Sequence, residues 1–198
     1  MAILNASMRR RTSHGLKQSL GILLAASALL FFSGQNVPAQ SPQSKEYQVK
    51  AVFLFNFAQF VEWPTNAFPD AQTPLIIGIL GEDPFGSYLD ETVRGEKVNN
   101  RPLVVQRYRR MDEIKSCHIL FISRSEADRL EEVLGGLKGR NILTVGDFEG
   151  FAQRGGMVRF VTEKKVRLRI NLEAAKAASL TISSKLLRPA EIVAPGKD

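Results

Sequence analysis

Three strand-length runs, LIIGIL within Pro74–Gly81, ILFI within Cys117–Ser123 and ILTV within Asn141–Asp147, are apolar through their centres and leave few folds open to this chain. A strand with one wet face alternates polar and apolar residues. A strand that does not alternate is covered on both sides, as in a parallel sheet between helical layers. RPLVVQRY (Arg101–Tyr108) reads as a further strand, and amphipathic segments separate the runs. Ser125–Leu137 is one such helix, with Ala127, Leu130, Val133, Leu134 and Leu137 on one side, and Met111–Lys115 is a shorter one. After Asp147 the pattern changes. GFAQRGG (Gly150–Gly156) is a glycine-rich loop, and MVRFVTE and VRLRINL follow it. The second places Val166, Leu168, Ile170 and Leu172 on one face and Arg167, Arg169 and Asn171 on the wet one, so an antiparallel hairpin turning at Glu163–Lys165 is expected. The expected fold is α/β: a mainly parallel central sheet flanked by helices on both faces, with an antiparallel hairpin toward the C-terminus.

Ahead of the first strand, Lys45–Trp63 is helical by period, with Val49, Val52, Phe53, Phe57, Phe60 and Val61 at three- and four-residue steps and Pro64 as its stop. The segment is rich in aromatic residues. Phe55 falls off the main stripe, which makes it and Trp63 candidates for contact with a partner or ligand.

The first 39 residues have a different character. Arg9, Arg10, Arg11 and Lys17 precede the apolar run Leu20–Phe32, and Val37 and Ala39 stand three and one residues before a cut after Ala39. That order is the pattern of a secretory signal peptide, and the run is short for a membrane span. An uncleaved anchor is the competing reading. Residues 1–39 form the expected signal peptide and 40–198 one domain, with the periplasm as destination. The formal charge of +7 loses four basic residues and no acidic ones with that segment. The remaining excess is scattered, so nucleic acid is not the expected partner.

Residue types exclude more. The expected mature chain has one cysteine and one histidine, the neighbours Cys117 and His118. They allow no internal disulfide and no common zinc site, and on a strand they point to opposite faces. Cys117 reads as a small buried residue, with a reactive or bridging thiol as the minority reading, and His118 as a satisfied structural histidine. Gly78 and Gly81 lack the dinucleotide spacing, and Glu82 and Asp83 put negative charge where a phosphate would sit; Asp83 is instead placed to cap a helix with Pro84 in its first turn. Ser183, Ser184 and Lys185 resemble part of a serine–lysine motif, but Ile182 stands where the serine should be. No catalytic residue, metal site or cofactor is expected.

Ligands of open α/β sheets sit beyond the C-terminal ends of the parallel strands, which makes Asp147 the first polar candidate. Its alternative role is a turn residue bonding its own backbone. Gly155 and Gly156 in the following loop are read as supplying special backbone angles, and Arg167 and Arg169 as groups able to hold a carboxylate. Arg107 is a lesser candidate.

Several segments occurring together in this order resemble the YfiR family of periplasmic proteins. They are the helix ending Glu62-Trp63-Pro64, the Val145-Gly146-Asp147…Gly155-Gly156-Met157 stretch, and Ile170-Asn171-Leu172…Ser183-Ser184-Lys185-Leu186-Leu187. The resemblance runs from Glu46 to Ile192. It implies a non-enzymatic α/β regulator that tends to dimerise and represses an inner-membrane diguanylate cyclase through that enzyme's periplasmic part, lowering cyclic di-GMP. An OmpA-like outer-membrane lipoprotein can sequester such a repressor. Family members can carry several cysteines in disulfides; this chain has Cys117 alone, which removes redox control of the fold from the expectation. A small-molecule sensor feeding a membrane signalling protein is the alternative.

Overall fold

A computed structural model describes residues 42–194 and Gly196; the expected signal peptide, with its cleavage site, lies outside them. The first element, α1 (Pro42–Phe60), runs into the two-residue strand β1 (Val61–Glu62). The chain continues through β2 (Leu75–Leu80), α2 (Ser87–Val93), β3 (Lys97–Val98), β4 (Arg101–Tyr108), β5 (Ile119–Ile122), α3 (Leu130–Gly136) and β6 (Leu143–Gly146). It ends with β7 (Val158–Thr162), β8 (Val166–Ile170), α4 (Leu172–Ala177), β9 (Thr181–Ile182), α5 (Ser184–Leu187) and β10 (Glu191–Ile192).

Among the described residues, the central sheet has eight strands in the order β10-β8-β7-β6-β5-β2-β4-β3. Strands β4, β2, β5, β6 and β7 are mutually parallel, and β7 and β8 form the expected antiparallel hairpin, with Thr162 opposite Val166. The fold is α/β, as the apolar runs require. Alternate residues of the central strands enter two separate cores. Ile77, Ile79, Phe121 and Val145 pack in the layer of α1, while Leu80, Leu120 and Ile122 pack in the layer of α3 with Phe148 and Phe151.

The structure corrects five local expectations. The buried stripe of α1 is Ala51, Leu54, Phe57 and Ala58, whereas Val49 and Val52 are 46% and 48% exposed. Both faces of this helix are apolar, so period alone cannot choose between them; the face carrying two alanines lies against the sheet. Second, the helix ends at Phe60 because Val61 pairs with Ile182 and Pro64 holds the residue before it out of helical geometry. Trp63 therefore follows the helix and β1. Third, Asp83 does not cap α2. Its carboxylate accepts the Phe85 N–H at 2.7 Å and binds Arg107, and Gly86 stands at the cap. Fourth, Asn171 is fully buried rather than wet. Its Oδ1 accepts from the Ala174 N–H at 3.0 Å, capping α4, and its Nδ2 donates to the Ala152 carbonyl at 3.0 Å. The expected Ser125–Leu137 helix begins as tighter 3-10 turns over Arg124–Arg129 before α3.

The sheet reverses its winding between β2 and β5, the usual crevice for a ligand. Here the chain itself fills that crevice: the Ser125 Oγ accepts the Glu82 N–H at 3.0 Å, and a Cβ on Gly81 would lie 2.3 Å from that oxygen. The open space lies further along the same edge, past β5, β6 and β7.

Candidate functional site

Asp147 follows β6 directly and sits where the sequence placed a polar contact. Its carboxylate joins distant elements rather than its own turn. Its Oδ2 accepts from Lys50 Nζ at 2.6 Å and from the Tyr47 hydroxyl at 2.8 Å, joining the strand end to the first turns of α1. Lys50 Nζ also lies 2.5 Å from Glu46 Oε1, one helical turn earlier, and 4.4 Å from the Tyr47 ring centroid. The Lys50 and Asp147 side chains are 3% and 5% exposed. A buried ion pair of this kind contributes little net stability unless further hydrogen bonds satisfy both partners, and here Glu46 and Tyr47 supply them. Thr162 Oγ1 donates to Glu46 at 2.9 Å, which ties in the end of β7. Burial, followed by the hydrogen bond to Asp147, pushes the Tyr47 phenol above its usual range, so it keeps its proton and acts as a donor.

These groups line a cavity of about 460 Å³, which Arg124 from the end of β5 and Arg159 from β7 also border. Its lining holds three cations, Lys50, Arg124 and Arg159, against two carboxylates, Glu46 and Asp147. The carboxylates are already engaged by Lys50, Tyr47 and Thr162. Among the described residues, Arg124 makes no ion pair. The arrangement is a buried network that fixes Lys50 at the end of the sheet, with Arg124 and Arg159 bordering the same cavity.

The loop after Asp147 owes its shape to one ring. Phe151 is fully buried between Gly146 and Gly156, where added Cβ atoms would lie 2.5 and 2.2 Å from it. Gly156 is needed for space, whereas Gly155, with φ of +105°, is needed for its backbone angle. Gly155 borders a second, mostly apolar cavity of about 400 Å³, lined by Leu134, Leu137, Ile142 and Met157.

The other sequence candidates lie apart from Asp147. Phe55 is half-buried against the α1 core. Trp63 sets its ring edge-on to His118 at 6.4 Å, and its indole N–H is buried with no hydrogen-bond partner among the described residues. Arg167 and Arg169 border a cavity of about 270 Å³ together, but Arg169 Nε already pairs with Glu191 at 2.8 Å. Arg107 is held by Asp83 and Asp90. His118 accepts the Ile76 N–H through Nδ1 at 3.0 Å, lies 3.3 Å from the Ala67 carbonyl through Nε2, and stacks on Phe68. Desolvation lowers its pKa, and Cys117 is buried with its thiol pushed up to about 12. Ser183 caps α5 by accepting from the Lys185 N–H, so this trio serves a helix end.

Sequence reasoning missed Lys50, Tyr47, Glu46, Arg159 and Thr162, whereas Arg124 stands with Ser123 at a strand end, where the sequence already places ligand contacts. The available signal was Glu46 and Lys50 at i, i+4, with a lysine interrupting an apolar helix.

A search of curated protein sequences finds no match. A family model described as YfiR/HmsC-like matches residues 47–191, from the Tyr47 of the cavity to the first residue of β10. That span is most of the chain, and it holds the whole parallel sheet, the Phe151 loop and all but Glu46 of the Lys50–Asp147 network. The chain belongs to the YfiR/HmsC-like family.

Proposed function

We propose that this chain is a non-enzymatic periplasmic regulator that represses an inner-membrane diguanylate cyclase through the cyclase's periplasmic portion, holding cyclic di-GMP down. The family match across residues 47–191 carries the reading. Residues 1–39 act as a cleaved signal peptide, 40–198 work as a single domain that forms a homodimer, and an OmpA-like outer-membrane lipoprotein relieves repression by sequestration. The required energy is modest. Binding one state of the cyclase about 100-fold better than the other takes about 2.7 kcal/mol, within reach of one ordinary interface. Crosslinking a tagged chain in intact cells and recovering it from solubilised inner membranes tests the reading. A partner carrying a diguanylate cyclase domain is the expected product. Recovery of periplasmic enzymes alone contradicts it.

A second reading, a sensor of a small molecule that feeds a membrane signalling protein, draws support from the 460 Å³ cavity at the sheet edge. Sensing and repression are compatible in one molecule.

A further inference from the structure

We infer that the cavity between the first turns of α1 and the ends of β5, β6 and β7 binds a small soluble organic anion, a carboxylate or phosphate ester, through Arg124 and Arg159. The inference rests on the sensor reading and gives it a ligand class.

Three observations carry it. The first is position. Arg124 comes two residues after the end of β5, Asp147 follows the end of β6, and Arg159 is the register partner of Gly146 on β7. Adjacent parallel strands thus deliver all three to the edge where α/β sheets hold ligands.

The second is charge. Glu46 and Asp147 are consumed within the site by Lys50, Tyr47 and Thr162. By formal charge the lining carries one more cation than carboxylates, and Arg124 makes no ion pair among the described residues. A guanidinium presents a planar fork of donors that matches a carboxylate or phosphate with two parallel hydrogen bonds.

The third is construction. Lys50 and Asp147 are nearly fully buried, and Tyr47 adds a third link, so the wall of the site is set before any ligand arrives. At about 460 Å³ the space suits a metabolite rather than a bare ion or a polymer.

The occupant also touches the helix that faces outward. Lys50 and Tyr47 look into the cavity from α1, while Val49 and Val52 of the same helix are exposed.

The test uses the exported chain, residues 40–198. Calorimetric titration and thermal shifts are run against citrate, succinate, glycerol 3-phosphate and inorganic phosphate. Glucose, a cationic polyamine and phosphatidylglycerol vesicles serve as comparisons. The expected result is saturable one-to-one binding by at least one organic anion, with a raised melting temperature. Arg124→Gln and Arg159→Gln should each weaken it about tenfold or more, a loss typical of one charge-assisted hydrogen-bonded pair. Arg124 is exposed, so Arg124→Gln folds as the parent does and its own melting point verifies this. Saturable binding of glucose or the polyamine, indifferent to both substitutions, overturns the anion assignment and leaves the sensor reading standing. No binding by any probe overturns both. Binding to vesicles alone overturns the soluble-ligand assignment in favour of a lipid headgroup.

Discussion

Lys50 is the residue on which the site depends, and little in its neighbourhood advertises it. It stands in a helix between Val49 and Ala51, and its partner Asp147 is 97 residues away. Asp147 was legible because it follows an apolar strand; Lys50 was not, because a long-range ion pair leaves no local pattern. Replacing Lys50 with Met strands a buried carboxylate and should cost about 3–5 kcal/mol in urea unfolding, whereas Lys50→Met combined with Asp147→Leu should recover part of that loss. Cys117 and His118 were legible as structural residues from their scarcity and their place on a buried run. With its thiol pushed up to about 12, Cys117 should resist iodoacetamide in the native chain at pH 8 and react once denaturant is added. Desolvation lowers the His118 pKa below the ordinary 6.5, so the unfolded chain takes up this proton first as the pH falls. The stability associated with neutral His118 is therefore fully present above about pH 6.5 and declines below it. Unfolding free energy measured from pH 7 to 5 should fall less steeply in His118→Phe than in the parent.

Among the elements, strands were easier to read than helix faces. The alternation of Val166, Leu168 and Ile170 located β8, and the hairpin turn fell at Glu163–Lys165 as expected, because a period of two has a single register that buries the apolar side. Helix α1 has apolar residues nearly all round, so its orientation depended on what the sheet accepts, namely the close approach allowed by Ala51 and Ala58. Asn171 belonged by period to the wet face, yet it serves as the buried cap of α4, a role decided by the chain end it must satisfy. The loop between β6 and β7 combines both kinds of information. Its glycines were visible, but the reason for Gly146 and Gly156, the Phe151 ring between them, is a matter of packing. Gly156→Ala should destabilise by about 1–3 kcal/mol through overpacking, and the penalty should shrink in a Phe151→Leu background, as a double-mutant cycle in urea will measure.

At the scale of the molecule, parallel strands covered on both faces dictate the sheet, and the sheet dictates where a ligand edge can be. The central strand order places each apolar run beside another parallel strand, so that both of its faces are covered. The two-residue edge strands β3 and β10 carried no pattern long enough to read. The cavity lay one step beyond what sequence could give: the edge was foreseeable, but its position past β5, β6 and β7 depends on Ser125 closing the crevice at β2. The proposed regulatory role belongs to this scale too, since it needs an exported domain and a partner across the periplasm. Cellular cyclic di-GMP, measured in a strain lacking this gene and again after complementation with an exported and a non-exported copy, tests it most directly. The account predicts a rise on deletion that the exported copy alone reverses. An unchanged level, with export of the complementing chain confirmed, would contradict it.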